Sequence, residues 1–261
     1  MGSHTQPVDM VGARVQNKKA ADKGHRDAQY NLALMLSNGL GGPVDMVGAR
    51  FQYKMAADQG HMESQYTLAQ MLCEGGGGPV DMTEARVLFK KAVHQGHSGA
   101  LYFLAFMLYN GEGGPVDLAE ARVQYKKTAA RGHAASQYNL AKMLHAGEGG
   151  PVDMTEARVL AKKAADQGHV ESHYALALML YKGEGGPVNL KEARVQYKKS
   201  AEQGRMHAQY NLGHMLWYGK GGPVDRAKAL AQYTRAAHQG LSEAQDMLAN
   251  ILQQEETARI A

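Results

Sequence analysis

Two pairs of histidines have the spacing that could bind a metal ion. His169 and His173 lie one helical turn apart, a separation that suits chelation of a divalent metal, and His94 and His97 flank a turn. Glu171 lies in the wrong place for a His-Glu-x-x-His protease motif, and the sequence offers no third ligand. We therefore expect no metal site and no cofactor. Histidines also recur once per repeat after a helix-ending glycine, and we interpret these as linker residues: His25, His61, His97, His133 and His169.

Motifs for catalysis are equally incomplete. Glycine-rich turns such as Gly-Glu-Gly-Gly at 111–114 lack the Gly-Lys-Ser/Thr ending of a phosphate-binding loop. No Ser-x-x-Lys or Gly-x-Ser-x-Gly motif occurs, and Cys73 has no activating base beside it in the sequence. The sequence predicts no catalytic residues, and we expect that the protein is not an enzyme.

The composition is that of an ordinary folded chain. The 261 residues are 44% apolar and 21% charged, with a net charge of +4, which argues against intrinsic disorder. A single cysteine excludes an internal disulfide scaffold. No run reaches the roughly 18 apolar residues of a membrane span, and the start carries no signal-peptide pattern. The compartment stays unknown, with the cytoplasm favoured.

The elements that must position these residues repeat along the chain. Pro-Val-Asp, once Pro-Val-Asn, recurs every 36 residues, with proline at positions 7, 43, 79, 115, 151, 187 and 223. This fixed period predicts stacked helix-turn-helix units. We assign residues 1–6 to an expression scar or disordered start and 7–24 to an N-terminal half-repeat formed by a second helix. Six tandem repeats follow over 25–240, and 241–261 form a C-terminal capping helix and tail. The repeat bounds are 25–60, 61–96, 97–132, 133–168, 169–204 and 205–240.

Each repeat is predicted to hold two helices. In the first repeat, apolar residues between Arg26 and Asn38 fall on one side of a helical wheel, and Gly39 ends that helix. Asp45 supplies an N-cap acceptor for the second helix. In four later copies the cap residue has a glutamate three positions on, which is the spacing of a capping box. The buried stripe of the second helix is Ala49, Tyr53, Ala56 and Ala57.

This pattern resembles a known repeat family. The first repeat reads Ala28-x-Tyr30-x-Leu32-Ala33-x-x-Leu36-x-x-Gly39-x-Gly41, then Asp45-x-x-x-Ala49-x-x-x-Tyr53-x-Met55-Ala56-Ala57-x-x-Gly60. It is similar to the Sel-one-like repeat (SLR) family, a relative of the tetratricopeptide repeats. The resemblance implies an all-α fold, an α/α right-handed superhelical solenoid whose first helices line a concave surface that holds protein partners. The chain departs from the family at Gly42 and its copies, where many members carry valine. It also lacks the disulfide pairs of the cysteine-rich bacterial branch, so the β-lactam activity attributed to that branch is not carried over.

Comparison of the six repeats separates a constant face from a variable one. Leucine and methionine columns do not change, whereas positions 27, 34, 37 and 38 of the first repeat differ in most copies. An unbroken row of tyrosines lies beside the variable positions. We predict a groove on the order of 50 Å long, with a tyrosine wall and a repeat-specific floor. The predicted partner-binding residues are Tyr30, Tyr66, Tyr102, Phe106, Tyr109, Tyr138, Lys142, His145, Tyr174, Tyr181, His207, Tyr210, His214, Trp217 and Tyr218.

Two alternatives stay open for this surface. The tyrosines could serve only inter-repeat packing while the variable positions drift, or the chain could be a structural spacer, a self-assembling rod or an idealised sequence without a peptide ligand. Arginines and lysines also form a stripe on the second helices, but interleaved glutamates offset it. We therefore expect a protein or peptide partner rather than nucleic acid or a membrane, and a monomer rather than end-to-end self-association.

Overall fold

The computed structural model describes residues 9–260, with the side chains of 255 and 258–260 excepted. Within that range the fold is all-α, with fourteen helices and no strand. The residues assigned to an expression scar, 1–6, lie outside the described range. The helices are α1 (Met10–Asp22), α2 (Arg26–Asn38), α3 (Met46–Asp58), α4 (Met62–Glu74), α5 (Met82–His94), α6 (Ser98–Asn110), α7 (Leu118–Ala130), α8 (Ala134–Ala146), α9 (Met154–Asp166), α10 (Val170–Lys182), α11 (Leu190–Glu202), α12 (Met206–Trp217), α13 (Arg226–His238) and α14 (Ser242–Ile260).

The helices form two compact units, Met1–Gln124 and Tyr125–Ala261. Their boundary falls inside α7, so the first unit contains α1 to α6 and the second contains α8 to α14. The bounds predicted for the first helix of the first repeat, Arg26 and Asn38, are those of α2. Even-numbered helices from α2 to α12 are the first helices of their repeats, and odd-numbered helices from α3 to α13 are the second helices.

The second helices begin at the predicted caps. The Asp81 carboxylate accepts a hydrogen bond from the Glu84 backbone N–H at 2.9 Å, and the Asp45 carboxylate accepts one from Gly48 at 2.8 Å. A side-chain oxygen at this position satisfies one of the amides that a helix start leaves unpaired. The Asp81 backbone N–H donates to the Leu72 carbonyl at 3.0 Å, so the carboxylate caps the helix while the main chain fastens it to α4.

The glycine-rich turn after each first helix packs against the preceding repeat. Gly113 has a φ of +67°, and a Cβ placed on it would lie 2.1 Å from the Met82 carbonyl oxygen. A Cβ on Gly114 would lie 3.0 Å from the Arg86 guanidinium, which donates to the Pro115 carbonyl at 2.9 Å. This geometry explains the departure at Gly42 and its copies, because a valine there would displace the arginine.

The same arginine contact recurs in both units, so the predicted basic stripe is partly structural. Guanidinium groups at the equivalent positions donate to a turn carbonyl 29 residues further along the chain: Arg14, Arg50, Arg86, Arg158 and Arg194. Hydrogen bonds from a charged donor to carbonyls are stronger than neutral ones. These arginines therefore hold successive repeats together, and the lysines of the stripe are exposed.

The core is formed by the columns that the sequence repeats without change. Leucines such as Leu68 and Leu140, both 2% exposed, pack with alanines that allow close helix approach. The predicted stripe of α3, which is Ala49, Tyr53, Ala56 and Ala57, is buried. Phe89 takes the place of Tyr53 in the next repeat and is fully buried. These burial predictions are confirmed.

A column of buried glutamines crosses the helix ends. The Gln65 side chain donates to the Ala57 carbonyl at 3.3 Å, at the end of α3, and accepts from Gln95 at 2.7 Å, just beyond α5. Each glutamine thus adds a second hydrogen bond to a helix-end carbonyl that already accepts one from a backbone N–H. The same bridge is made by Gln29, Gln137 and Gln209. Leu101 and His173 occupy this column in the other two repeats, and both are buried.

Candidate partner-binding surface

We use the term first-helix face for the side of each first helix that carries the tyrosine row and the varied residue four positions after each tyrosine. In the first unit, the Tyr66 ring lies 6.0 Å from the Phe89 ring of its own repeat and 4.1 Å from the His97 ring of the next, measured between centroids. Tyr30 makes the same contacts, at 6.1 Å to Tyr53 and 4.4 Å to His61. The tyrosines therefore join adjacent repeats and are half-buried. One edge of each ring remains on the first-helix face.

The recurring histidines lie between helices at the N-cap position of the first helices, and His61, His97 and His133 also cap through the side chain, which their interpretation as linker residues missed. The Nδ1 atom of His97 accepts from the Ala100 backbone N–H at 3.0 Å, and that of His61 accepts from Ser64 at 3.1 Å. The His97 ring also lies against Tyr66, and the His61 ring lies against Tyr30. Burial lowers the pKa of His61, with the Asp27 carboxylate opposing that shift.

An aromatic cluster covers the first-helix face of α6. The Phe103 ring stacks on Phe89 at 5.3 Å and lies 5.9 Å from Tyr66 and 5.7 Å from Tyr102. Phe106 follows one turn later, 6.5 Å from Tyr102, with 41% of its surface exposed. Sequence reasoning missed Phe103, although the pair Tyr102-Phe103 and the polar or alanine residues at its equivalent positions mark it as unusual. Burial raises the pKa of Tyr102, so its hydroxyl stays protonated.

The tyrosine row continues in the second unit with different neighbours. The Tyr138 ring lies 5.0 Å from His169, and the Lys142 ammonium lies 5.8 Å above the Tyr138 centroid. At the next step Arg205 stands in place of the histidine, and its guanidinium lies 4.3 Å above Tyr174. A cation over an aromatic face is stabilising, more so when it is desolvated. A tyrosine therefore accepts either a histidine ring or a guanidinium from the next repeat.

The last tyrosine of the row packs against the end of the fold. Tyr210 lies 5.7 Å from Tyr233 and packs on the buried cluster formed by Ala236, Leu241 and Ala244. His207 is exposed beside this region and lies 6.4 Å from Tyr174. The ring of Tyr210 thus belongs mainly to the core.

A second row of predicted residues lies one to two turns further along the first helices. His145 Nε2 is 3.0 Å from Glu184 Oε2 in the turn of the next repeat. The Lys220 ammonium donates to the Tyr181 hydroxyl at 2.6 Å, again from the next turn. Tyr109, at the equivalent position in the first unit, is half-buried. The side chains of this row therefore reach toward the glycine turns, and the tyrosine row reaches toward the histidine caps.

The late patch predicted by sequence is brought together at the end of α12. The His214 and Tyr218 rings lie 4.6 Å apart, and the Arg226 guanidinium lies 5.2 Å above Trp217. Tyr218 is the C-cap residue of α12 and is 55% exposed. Burial, helped by the Lys220 charge, lowers the pKa of His214, so this imidazole is neutral at neutral pH. The patch presents aromatic area with one hydroxyl at its edge.

The acidic residues of the early repeats already have partners. Glu63 Oε2 lies 3.2 Å from His97 Nε2, and Asp27 accepts from Arg26 at 3.0 Å. The carboxylate of Asp27 also lies 4.0 Å from His61 Nε2. These carboxylates therefore lie beside the histidine caps, at the junctions between successive repeats.

The residues weighed for chemistry have structural roles. His173 is buried and its Nδ1 lies 2.7 Å from Gln196 Oε1, while His169 Nδ1 lies 3.0 Å from Ser172 Oγ. Burial raises the pKa of the Cys73 thiol, with Glu112 and Glu74 adding to the shift, which disfavours the reactive thiolate. Across residues 9–260 no group of three metal-ligating side chains comes together. Over the same range, no helix combines the length and apolar character needed to cross a bilayer.

Helix pairs of constant length, joined by glycine turns and fastened by the same contacts from copy to copy, define an α/α solenoid repeat protein. The Sel1 repeat model matches residues 26–61, 63–97, 98–133, 134–169, 170–204 and 207–241. The chain therefore belongs to the Sel1 repeat family, as its sequence pattern predicted. Proteins of this family are generally protein-interaction scaffolds and generally lack enzymatic activity.

Solved structures agree with this assignment. The chain is 34% identical to c5321 of uropathogenic Escherichia coli, a protective antigen with an SLR fold, at a TM-score of 0.83. That match covers 94% of this chain and 53% of c5321, so the chain spans about half the length of that relative. A Sel1 repeat protein from Oxalobacter formigenes is 29% identical, with a TM-score of 0.67 over 96% of this chain and 72% of the other. No curated protein matches the sequence.

Proposed function

We propose that the protein is a non-catalytic scaffold that binds a peptide segment or a partner surface on the first-helix face. The observation that carries this proposal is that two sets of residues on that face have different contacts. The tyrosine rings and histidine caps are used between repeats, whereas the residue four positions after each tyrosine varies and keeps part of its surface exposed. These varied residues are Leu34, Gln70, Phe106, Lys142, Leu178 and His214.

One alternative is that the tyrosines serve only inter-repeat packing while the variable positions drift. The contacts of the tyrosine row support the first part of this alternative, because they explain why the tyrosines are constant without invoking a ligand. They do not account for the partly exposed Leu34, Phe106 and Leu178 at the varied positions. Phe106 is a large apolar side chain with 41% of its surface exposed, and aromatic side chains at interface centres commonly contribute most of the binding energy. We therefore place the partner contact on the varied row, with Trp217 and Tyr218 continuing it beyond α12.

The experiment compares two triple variants in a pull-down from lysate of the source cell, read by mass spectrometry. The site variant is Phe106→Ala, Lys142→Ala and His214→Ala. The control variant is Val87→Ala, Val123→Ala and Val159→Ala, which removes side chains of similar exposure from the second helices. Circular dichroism first establishes equal helicity.

We expect a partner that is recovered by the parent and the control and reduced at least tenfold with the site variant, since one lost anchor costs about 2 kcal/mol. The purified partner should then bind the parent directly in solution. Equal recovery by all three proteins would refute placement on the first-helix face.

A further inference from the structure

A cleft of about 540 Å³ opens between α11 and α13 in the second unit. Its bottom is formed by Leu212 and Leu216 of α12, and Val195, which is 43% exposed, forms one wall. The turn that carries Pro223 and Val224 closes one end. The volume lies in the roughly 300–1,000 Å³ range of ligand clefts. This cleft lies among the second helices, and none of the residues of the first-helix face lines it.

The rim of the cleft is strongly basic. Five basic side chains line it against two carboxylates, Glu202 and Asp225. The basic residues are Lys191, Arg194, Lys198, Lys228 and Arg235. Asp225 lies 2.7 Å from Lys228, and Glu202 lies 3.7 Å from Lys198. The hydrogen bond from Lys228, with the Arg194 charge, lowers the pKa of Asp225, as expected in a positive field.

Internal comparison shows that this charge is specific to the last repeat. The preceding cleft, between α9 and α11, has a volume of about 390 Å³ and is lined by Glu192 where the last cleft has Lys228. Three earlier copies of this position also carry glutamate, Glu84, Glu120 and Glu156, and the first repeat carries Gly48. In the first unit, Lys54 forms a 3.0 Å ion pair with Glu84 across this position. At the last repeat a lysine replaces the glutamate, so the cross-repeat ion pair is lost and Lys198 pairs only with Glu202 of its own helix.

A second position in this cleft, 191, also gains a positive charge relative to the earlier repeats. Lys191 stands where the earlier repeats carry Val47, Thr83, Ala119 and Thr155. Two added lysines at one cleft raise its positive potential, which favours an anionic ligand and speeds its association. The apolar bottom and Val195 wall add a surface that a small inorganic anion would not use.

We propose that this cleft binds an acidic peptide segment of a partner protein, whose carboxylates pair with Lys191, Lys228 and Arg235 while an apolar side chain packs on Val195 and Leu216. The charge complementarity selects acidic sequences, and the apolar contact selects a peptide over a nucleic acid backbone. The site is separate from the first-helix face, so a partner could contact both.

The test uses a fluorescein-labelled peptide of sequence Gly-Asp-Leu-Glu-Asp-Leu-Glu-Gly and its Asn/Gln counterpart, with binding followed by fluorescence anisotropy. The site variant is Lys191→Thr with Lys228→Glu, which restores residues found at these positions in other repeats and so preserves the fold. The matched control is Lys90→Glu with Lys91→Thr, which makes the same charge change on α5. A single-stranded DNA oligonucleotide serves as the competing class of anion.

We expect the acidic peptide to bind the parent and the control equally and the site variant about tenfold more weakly, because one charge contact is lost and another is reversed. The Asn/Gln peptide should bind at least tenfold more weakly than the acidic one, and salt should weaken the acidic peptide. Equal weakening by the site and control variants, equal binding of the two peptides, or tighter binding of DNA with the same lysine dependence would each overturn the proposal. The Phe106→Ala, Lys142→Ala and His214→Ala variant should keep this peptide, which separates the two surfaces.

Discussion

Alanine substitution at two glycines of the second unit should separate the cost of a left-handed backbone from the cost of a steric clash. Gly185 has a φ of +71° and Gly168 a φ of +81°. A Cβ on Gly185 would lie 2.0 Å from the Met154 carbonyl oxygen and 3.1 Å from Arg158 Cβ. A Cβ on Gly168 would meet no atom within 4 Å. The two positions share one backbone strain and differ in packing.

The magnitudes follow from these distances. A left-handed conformation costs a non-glycine residue about 1–2 kcal/mol, and alanine recovers about 0.4–1 kcal/mol by restricting the unfolded chain. Gly168→Ala should therefore cost about 1 kcal/mol. Relief of the contact at Gly185 requires the turn to move away from α9, and overpacking of this kind adds about 1–3 kcal/mol. Gly185→Ala should cost about 2–4 kcal/mol.

The assay is urea unfolding followed by far-ultraviolet circular dichroism, with the slope of the transition checked for each variant. An unchanged slope allows the midpoint shift to be read as a change in the free energy of unfolding. Equal destabilisation by the two substitutions would refute the reasoning, because it would mean that the close approach of the turn to Met154 contributes nothing.

Two further outcomes follow from burial. Leu140→Ala should destabilise the protein by about 2–5 kcal/mol, because the side chain is 2% exposed and its loss leaves a cavity; an unchanged thermal midpoint would contradict the packing described for this column. Acidification from about pH 7 to about pH 5 should lower the thermal midpoint, because burial lowers the pKa of the histidines in the folded state below the ordinary value of about 6.5. The stability that these neutral histidines contribute above the ordinary pKa is lost as the pH falls through their lowered pKa values in the folded state. A thermal midpoint that rises on acidification would contradict this. The histidines concerned are His61, His133, His169 and His214.

Local sequence signals predicted most of the fold. The apolar spacing between Arg26 and Asn38, the glycine at 39 and the acceptor at Asp45 each act within one or two helical turns, so they are visible in the chain itself. The six internal copies strengthened these signals, because buried positions repeat and exposed ones do not. Helix bounds and core columns could therefore be assigned without a structure.

The candidate surface was less predictable because it depends on how neighbouring repeats stack. The distance between Tyr66 and His97 joins residues 31 positions apart, and only the stacking of the repeats shows that the histidine ring lies on the tyrosine. The arginines were placed on a solvated face because the sequence does not show which carbonyls they meet. Phe103 was missed because one copy alone carries an aromatic residue there.

The two exceptions in the buried glutamine column have a consequence for how the chain finds its native pairing. Near-identical copies can exchange places during folding, since a helix pair that fits one neighbour fits many others. A glutamine at the position of Leu101 would meet Arg131 where Gln95 and its copies supply the donor in other repeats, and a buried polar group that loses its partner costs about 1–3 kcal/mol. His173, bonded to Gln196 of its own repeat, marks a second position in the same way. Leu101 and His173 therefore make their repeats distinguishable from the other copies. Such differences disfavour misregistered and domain-swapped assemblies.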